Sequence, residues 1–145
     1  MHHRAAQHGL IGLLLLLTPG LLLYAADDPP PAAPAVIEAR EAAAHAGKTC
    51  TVAMTVESSR LLTDTDMGFL NSKRDYRDED NFTVVMYDKA LQKFKELGID
   101  DPARHFRGKQ IQVTGDVELR RGKPQIILEA PEKIRIIAPK ASRDE

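Results

Sequence analysis

The chain has 145 residues, with 20 Lys and Arg against 21 Asp and Glu, one cysteine and no tryptophan. That length accommodates one domain with a tail, and the near-zero net charge excludes both a polybasic, histone-like chain and a disordered acidic one. A single cysteine excludes a disulfide framework and any multi-thiolate zinc site.

Residues 1–26 carry one arginine near the start, an aliphatic run from Leu10 to Leu17, a Pro19-Gly20 break, and Tyr24-Ala25-Ala26 before Asp27-Asp28. The apolar stretch is shorter than the roughly 20 residues that span a bilayer core. A positive start, an apolar middle and a small-residue exit match a signal peptide, with cleavage expected near Ala25 or Ala26. The expectation is an exported chain, periplasmic or secreted, without a stable membrane span after leader cleavage. Residues 27–35 hold four of the nine prolines and read as an extended linker.

Residues 36–137 form the expected domain, and residues 138–145 a polar tail. Val36 to Ala46 is Ala-rich and predicts a short helix ended by Gly47. Thr49 to Val56 alternates, with Cys50, Val52, Met54 and Val56 on one face, and predicts a half-buried strand in which Cys50 packs as a small hydrophobe. Met67 to Asn71 and Phe82 to Tyr87 predict two further strands. Asp88 to Gly98 switches to helical spacing, with Leu91 and Phe94 on one face, widened by Ala90 and Leu97. Asp88 is expected to cap its start and Gly98 its end. Gln110 to Leu119 alternates again, and Arg121-Gly122 turns it into a hairpin with Gln125 to Leu128.

One segment recurs. Gly47-Lys48-x-x-x-Val52-x-x-x-Val56-Glu57 reappears, 61 residues on, as Gly108-Lys109-x-x-x-Val113-x-x-x-Val117-Glu118. Two copies are too few for a solenoid and mark two long strands with equivalent roles. Gly115 within the second copy predicts a bend or a close approach. Five short strands with one helix between the third and fourth predict a mainly β fold, a small closed Greek-key barrel that removes exposed edges.

Gly47-Lys48 opening a V-x-x-x-V strand, Gly68-Phe-Leu-Asn71, Asn81-Phe-Thr-Val-Val85, Val113-Thr-Gly-Asp-Val117 and Arg121-Gly-Lys-Pro-Gln-Ile126 resemble an OB-fold family. It comprises nucleic-acid-binding-type domains found alone or beside nuclease modules in exported bacterial proteins. The resemblance covers about Val36 to Ile137 and implies a five-stranded barrel with a binding habit. Fold alone does not give function.

A module of this kind uses cations along a groove and aromatics for stacking. From Arg104 to Lys123 there are six basic and two acidic residues, and Arg120, Arg121 and Lys123 crowd the hairpin tip. Such a tip reads either as solubilising charge or as an anion contact. Lys73-Arg74-Asp75-Tyr76-Arg77 sets an aromatic among bases in a loop, where it would stack a base or belong to a mixed-charge solvated loop. Arg60-Leu-Leu with Asp64 and Asp66 is the one nuclease-like run, akin to micrococcal-type enzymes. It follows the first strand rather than the third, lacks calcium-loop spacing and offers no clear second catalytic arginine or upstream metal carboxylate, so the two aspartates read as turn residues. His45 and His105 read as surface or boundary residues. The candidate ligand-binding residues are therefore Arg60, Lys73, Tyr76, Arg120, Arg121 and Lys123. No catalytic residue, metal ligand or cofactor is identified. Single-stranded nucleic acid is the leading partner, and an envelope protein bound on the same face, as in a stress-related domain, is the alternative.

Overall fold

The fold is described by a computed structural model over residues 29–137. The chain divides into two units between Pro31 and Ala32. The expected signal peptide lies outside the described residues, and with it the grounds for export. Of the first unit only the exposed Pro29 to Pro31 are described. No helix among the described residues is long and apolar enough to cross a membrane.

In the second unit eight strands are joined in one mixed sheet: β1 (Val36–Glu38), β2 (Thr49–Thr55), β3 (Ser58–Leu62), β4 (Met67–Asn71), β5 (Thr83–Tyr87), β6 (Gln110–Arg120), β7 (Lys123–Ile127) and β8 (Ile134–Ile136). Their order is β1-β2-β6-β7-β5-β4-β3, with β8 paired to β6 outside that path. The β1/β2 and β5/β7 pairs are parallel and the rest antiparallel. The expected closed five-stranded Greek-key barrel is therefore corrected to an open, eight-stranded mixed sheet with two helices. The hydrogen-bonded path begins at β1 and ends at β3, and no ladder joins its two ends.

Three short strands account for the difference in number. Val36-Ile37-Glu38 was expected to start a helix but pairs in parallel with Thr51 to Ala53. The helical part shrinks to a 3-10 segment, Ala39–His45, which buries Ala42 and starts with a reciprocal Glu38–Glu41 capping box. A stretch this short gains too little from alanine propensity to outweigh three β pairings, two of them between β-branched residues. β3 is polar at Ser58 and Ser59, and β8 has only three residues, so neither carries a periodic signal.

The recurrent segment has a structural meaning. β2 and β6 are antiparallel partners, with Val52 opposite Val113 at the centre. Gly47 N donates to Val117 O at 2.7 Å and Gly108 N donates to Val56 O at 2.8 Å. Val117 N donates to Lys48 O and Val56 N to Lys109 O, both at 3.0 Å. Each copy thus opens on a glycine of positive φ that locks onto the end of the other copy, giving the pair a local two-fold symmetry. Cys50 is buried opposite Gly115, where an added Cβ would lie 2.7 Å from Ile126 Cγ2. Gly115 is therefore needed for close packing.

Helix α1 (Asp88–Glu96) buries Ala90 and Phe94. Its entry differs from expectation: Tyr87 is the capping position, and the Asp88 carboxylate accepts from Gln92 Nε2 instead. Gly98 ends the helix at φ +82°, while Leu97 lies 65% exposed rather than widening the apolar face. Helix α2 (Pro102–Phe106) is capped by Asp101, whose side chain accepts from Arg104 N. Phe106 meets Phe94 edge-on at 5.8 Å, tying the two helices into the core of Val52, Val56, Leu70, Phe82, Val84, Ile111, Val113 and Ile126.

Candidate binding groove

Strand alternation builds the site. Across β3, β4, β5 and β7, Ser58, Asn71, Thr83 and Gln125 form one row, and Arg60, Phe69 and Val85 form the next. Their neighbours Leu70, Val84 and Ile126 point into the core. The outward rows floor a groove of about 690 Å³. Its walls come from the 72–82 loop, through Arg74, Tyr76 and Arg77, and from the β6–β7 hairpin, through Arg120, Arg121, Lys123 and Pro124. Six cationic side chains line it and no carboxylate does, although the whole chain is net negative.

Five of the six residues singled out from the sequence meet in this groove: Arg60, Tyr76, Arg120, Arg121 and Lys123. Lys73 does not. It lines a separate cleft of about 420 Å³ with Glu38, Arg40 and Asp80. That separation also removes Asp80 from the groove. Phe69, Arg74 and Arg77 were missed, although the period-two register of β4 and the Arg74-x-Tyr76-Arg77 spacing carried the signal.

The loop is fastened at its base. Asn81, buried at 1% exposure, accepts from Lys73 N at 3.1 Å and donates to Thr83 Oγ1 at 3.0 Å. Ser58 Oγ donates to Lys73 O at 2.8 Å and Phe82 N to Ser72 Oγ at 2.8 Å. Asp75 and Asp78 accept from the backbone N–H groups of Arg77 and Asp80, so part of the acidic stretch shapes turns. Arg77 lies 4.7 Å from the centre of the Tyr76 ring, which is 56% exposed. Stacked cation and ring together make a flat platform.

The cations differ in what they already hold. Arg74 lies 3.7 Å from Glu57, and Arg77 lies 3.8 Å from Asp75, both exposed pairs of small worth. Among the described residues, Arg60, Arg120 and Arg121 make no side-chain hydrogen bond or ion pair. Arg121 and Gly122 form the two-residue hairpin turn at φ 51° and 79°, the left-handed pair such turns require. Lys123 is different: its Nζ donates to three loop carbonyls.

Asp64 and Asp66 sit in the turn between β3 and β4, away from the groove lining. No three His, Cys, Asp or Glu side chains group to hold a metal among the described residues. His105 is partly buried, stacked edge-on against Phe106 at 4.8 Å. Burial, and then the charge of Lys109, lower its pKa below the usual histidine value.

No protein-family model and no curated protein matches the chain. Among solved structures it is similar to a protein assigned as an aspartyl-tRNA synthetase from Leishmania major Friedlin, at 14% identity and a TM-score of 0.49 over 76% of this chain. An asparaginyl-tRNA synthetase from Pyrococcus horikoshii gives 18% and 0.47 over 70%. The chain spans only 22% of each of these two proteins. The OBody AM1L10, solved bound to hen egg-white lysozyme, gives 16% and 0.45 over 66% of this chain and 85% of its own.

Proposed function

We propose that this domain is a non-catalytic binding module for single-stranded nucleic acid, held along the groove between the 72–82 loop and the β6–β7 hairpin. The observation that carries this reading is the lining: six cations, an aromatic floor and rim at Phe69 and Tyr76, and no carboxylate. The arginines on both walls, Arg74 and Arg77 facing Arg120 and Arg121, suit a phosphate backbone, and exposed ring faces suit unpaired bases. A duplex hides those base faces, so it would use only the charges. The floor polar groups Asn71 and Thr83 already bond to one another or to Asn81 and Ser58. They have little capacity left to read base edges, which makes the expected binding tolerant of sequence.

The test is fluorescence anisotropy with labelled 12-nucleotide DNA and RNA strands and a matched duplex, at low salt. Binding of both single strands in preference to the duplex is the expected result. No detectable binding to either strand overturns the reading and returns the groove to a protein partner.

A further inference from the structure

The hairpin lysine has a different role from the arginines beside it. Lys123 Nζ donates to Tyr76 O at 3.2 Å, Arg77 O at 2.5 Å and Asp78 O at 3.2 Å. An ammonium group has three N–H donors, so this one is fully occupied. Three consecutive carbonyls reach one point only because the loop is curled there by two local turns: Asp78 N donates to Asp75 O and Asn81 N to Asp78 O, both at 3.1 Å. Lys123 itself is held at the start of β7, paired across the hairpin with Arg120. The two walls of the groove are thus joined through this one side chain, while Asn81 fastens the far end of the loop.

We propose that Lys123 is a positioning residue whose ammonium clamps the 76–78 backbone to the β6–β7 hairpin and so presents the Tyr76–Arg77 platform to the groove. It does not contact a phosphate. Its positive charge neutralises converging carbonyl dipoles, and a charge-assisted bond of this kind is stronger than a neutral one. Without it the loop keeps its base but loses its tie to the opposite wall. The binding consequence rests on the proposed function; the clamp itself does not.

Two measurements on Lys123→Met test this, with the apolar stem retained. In the free protein, hydrogen exchange at the amides of Arg77, Asp78, Asp80 and Asn81 should quicken about ten-fold, while the β6 and β7 amides stay as they were. Unchanged loop exchange overturns the clamp. With a 12-nucleotide single strand, Lys123→Met should weaken binding about ten-fold in the native background. It should weaken binding less than about two-fold in a chain already carrying Tyr76→Ala and Arg77→Ala, because the platform it positions is gone. An equal loss in both backgrounds identifies a direct contact and overturns the proposal. The exchange arm contains no oligonucleotide, so a failure of nucleic-acid binding would condemn the proposed function and leave the clamp judged on exchange alone.

Discussion

Arg121→Asn separates what the hairpin tip does for binding from what it does for the fold. Arg121 occupies the left-handed region at φ 51°, which costs an ordinary L-residue about 1–2 kcal/mol, and asparagine tolerates it better than most. The variant should therefore fold with a Tm equal to or above that of the native chain. Binding should move the other way. Three groove arginines, Arg60, Arg120 and Arg121, have no side-chain partner among the described residues, and Arg74 and Arg77 hold only exposed pairs. Each phosphate neutralised contributes about −0.7 to the slope of log K against log salt for a single strand, so three to five contacts give about −2 to −3.5. Raising salt from about 50 to about 200 mM should then weaken binding about twenty- to a hundred-fold. Arg121→Asn should make the slope shallower by about 0.7 while weakening binding at low salt. Anisotropy titrations at four salt concentrations, with thermal melts of both proteins, supply the data. A native slope near zero refutes a cationic groove that neutralises phosphates. A lowered Tm in the variant refutes the reasoning about the strained turn.

Tyr76→Ala should weaken single-strand binding by about 1–3 kcal/mol, the worth of one stacked base, with the salt slope and Tm unchanged; an unaffected affinity would remove Tyr76 from the site. Gly115→Ala should destabilise the fold by about 1–3 kcal/mol, because its Cβ meets Ile126 Cγ2 at 2.7 Å. Ile126→Leu moves the branch away from that contact and should recover part of the loss, as read by denaturant titration. A neutral Gly115→Ala would show that the strands have room there. Since burial and Lys109 lower the His105 pKa, its stabilising contribution is complete above the ordinary histidine value. It is lost as pH falls through the lower folded value. Melts across that acidic window should show a steeper decline than the same melts of His105→Gln.

The elements legible in the sequence are those whose pattern is set by their own neighbours. β2 and β6 alternate over seven and eleven residues, and each is entered through a glycine that must adopt positive φ, so repeat, strand and turn were visible together. β3 was not visible, because its buried position is a serine. Ser59 is tolerated inside only because its Oγ donates to Ala103 O at 2.5 Å and accepts from Arg107 Nε at 2.9 Å, both from a segment more than forty residues away. Arg107, counted in the basic stretch of the sequence, is thereby drawn away from the groove lining. Lys73 was likewise grouped with Tyr76 by proximity in the chain, yet the folded loop sends the two into different clefts.

The near-balance of charge over the whole chain excludes indiscriminate coating of nucleic acid, and residue counting identified the segment ending at the hairpin tip as the most basic stretch. What the sequence determined alone was local: alternation, glycine turns, and which short segments carry bases. Tertiary structure decided which bases share a face. Side chains two apart on a strand point the same way, and strand pairing sets Arg60 beside Phe69, while the 72–82 loop and the β6–β7 turn bring Tyr76 and Arg121 to the same groove from up to about sixty residues along the chain. The same packing converted Lys123 from one more surface cation into the tie between the two walls, because its worth depends on three carbonyls that only the folded loop brings to one point.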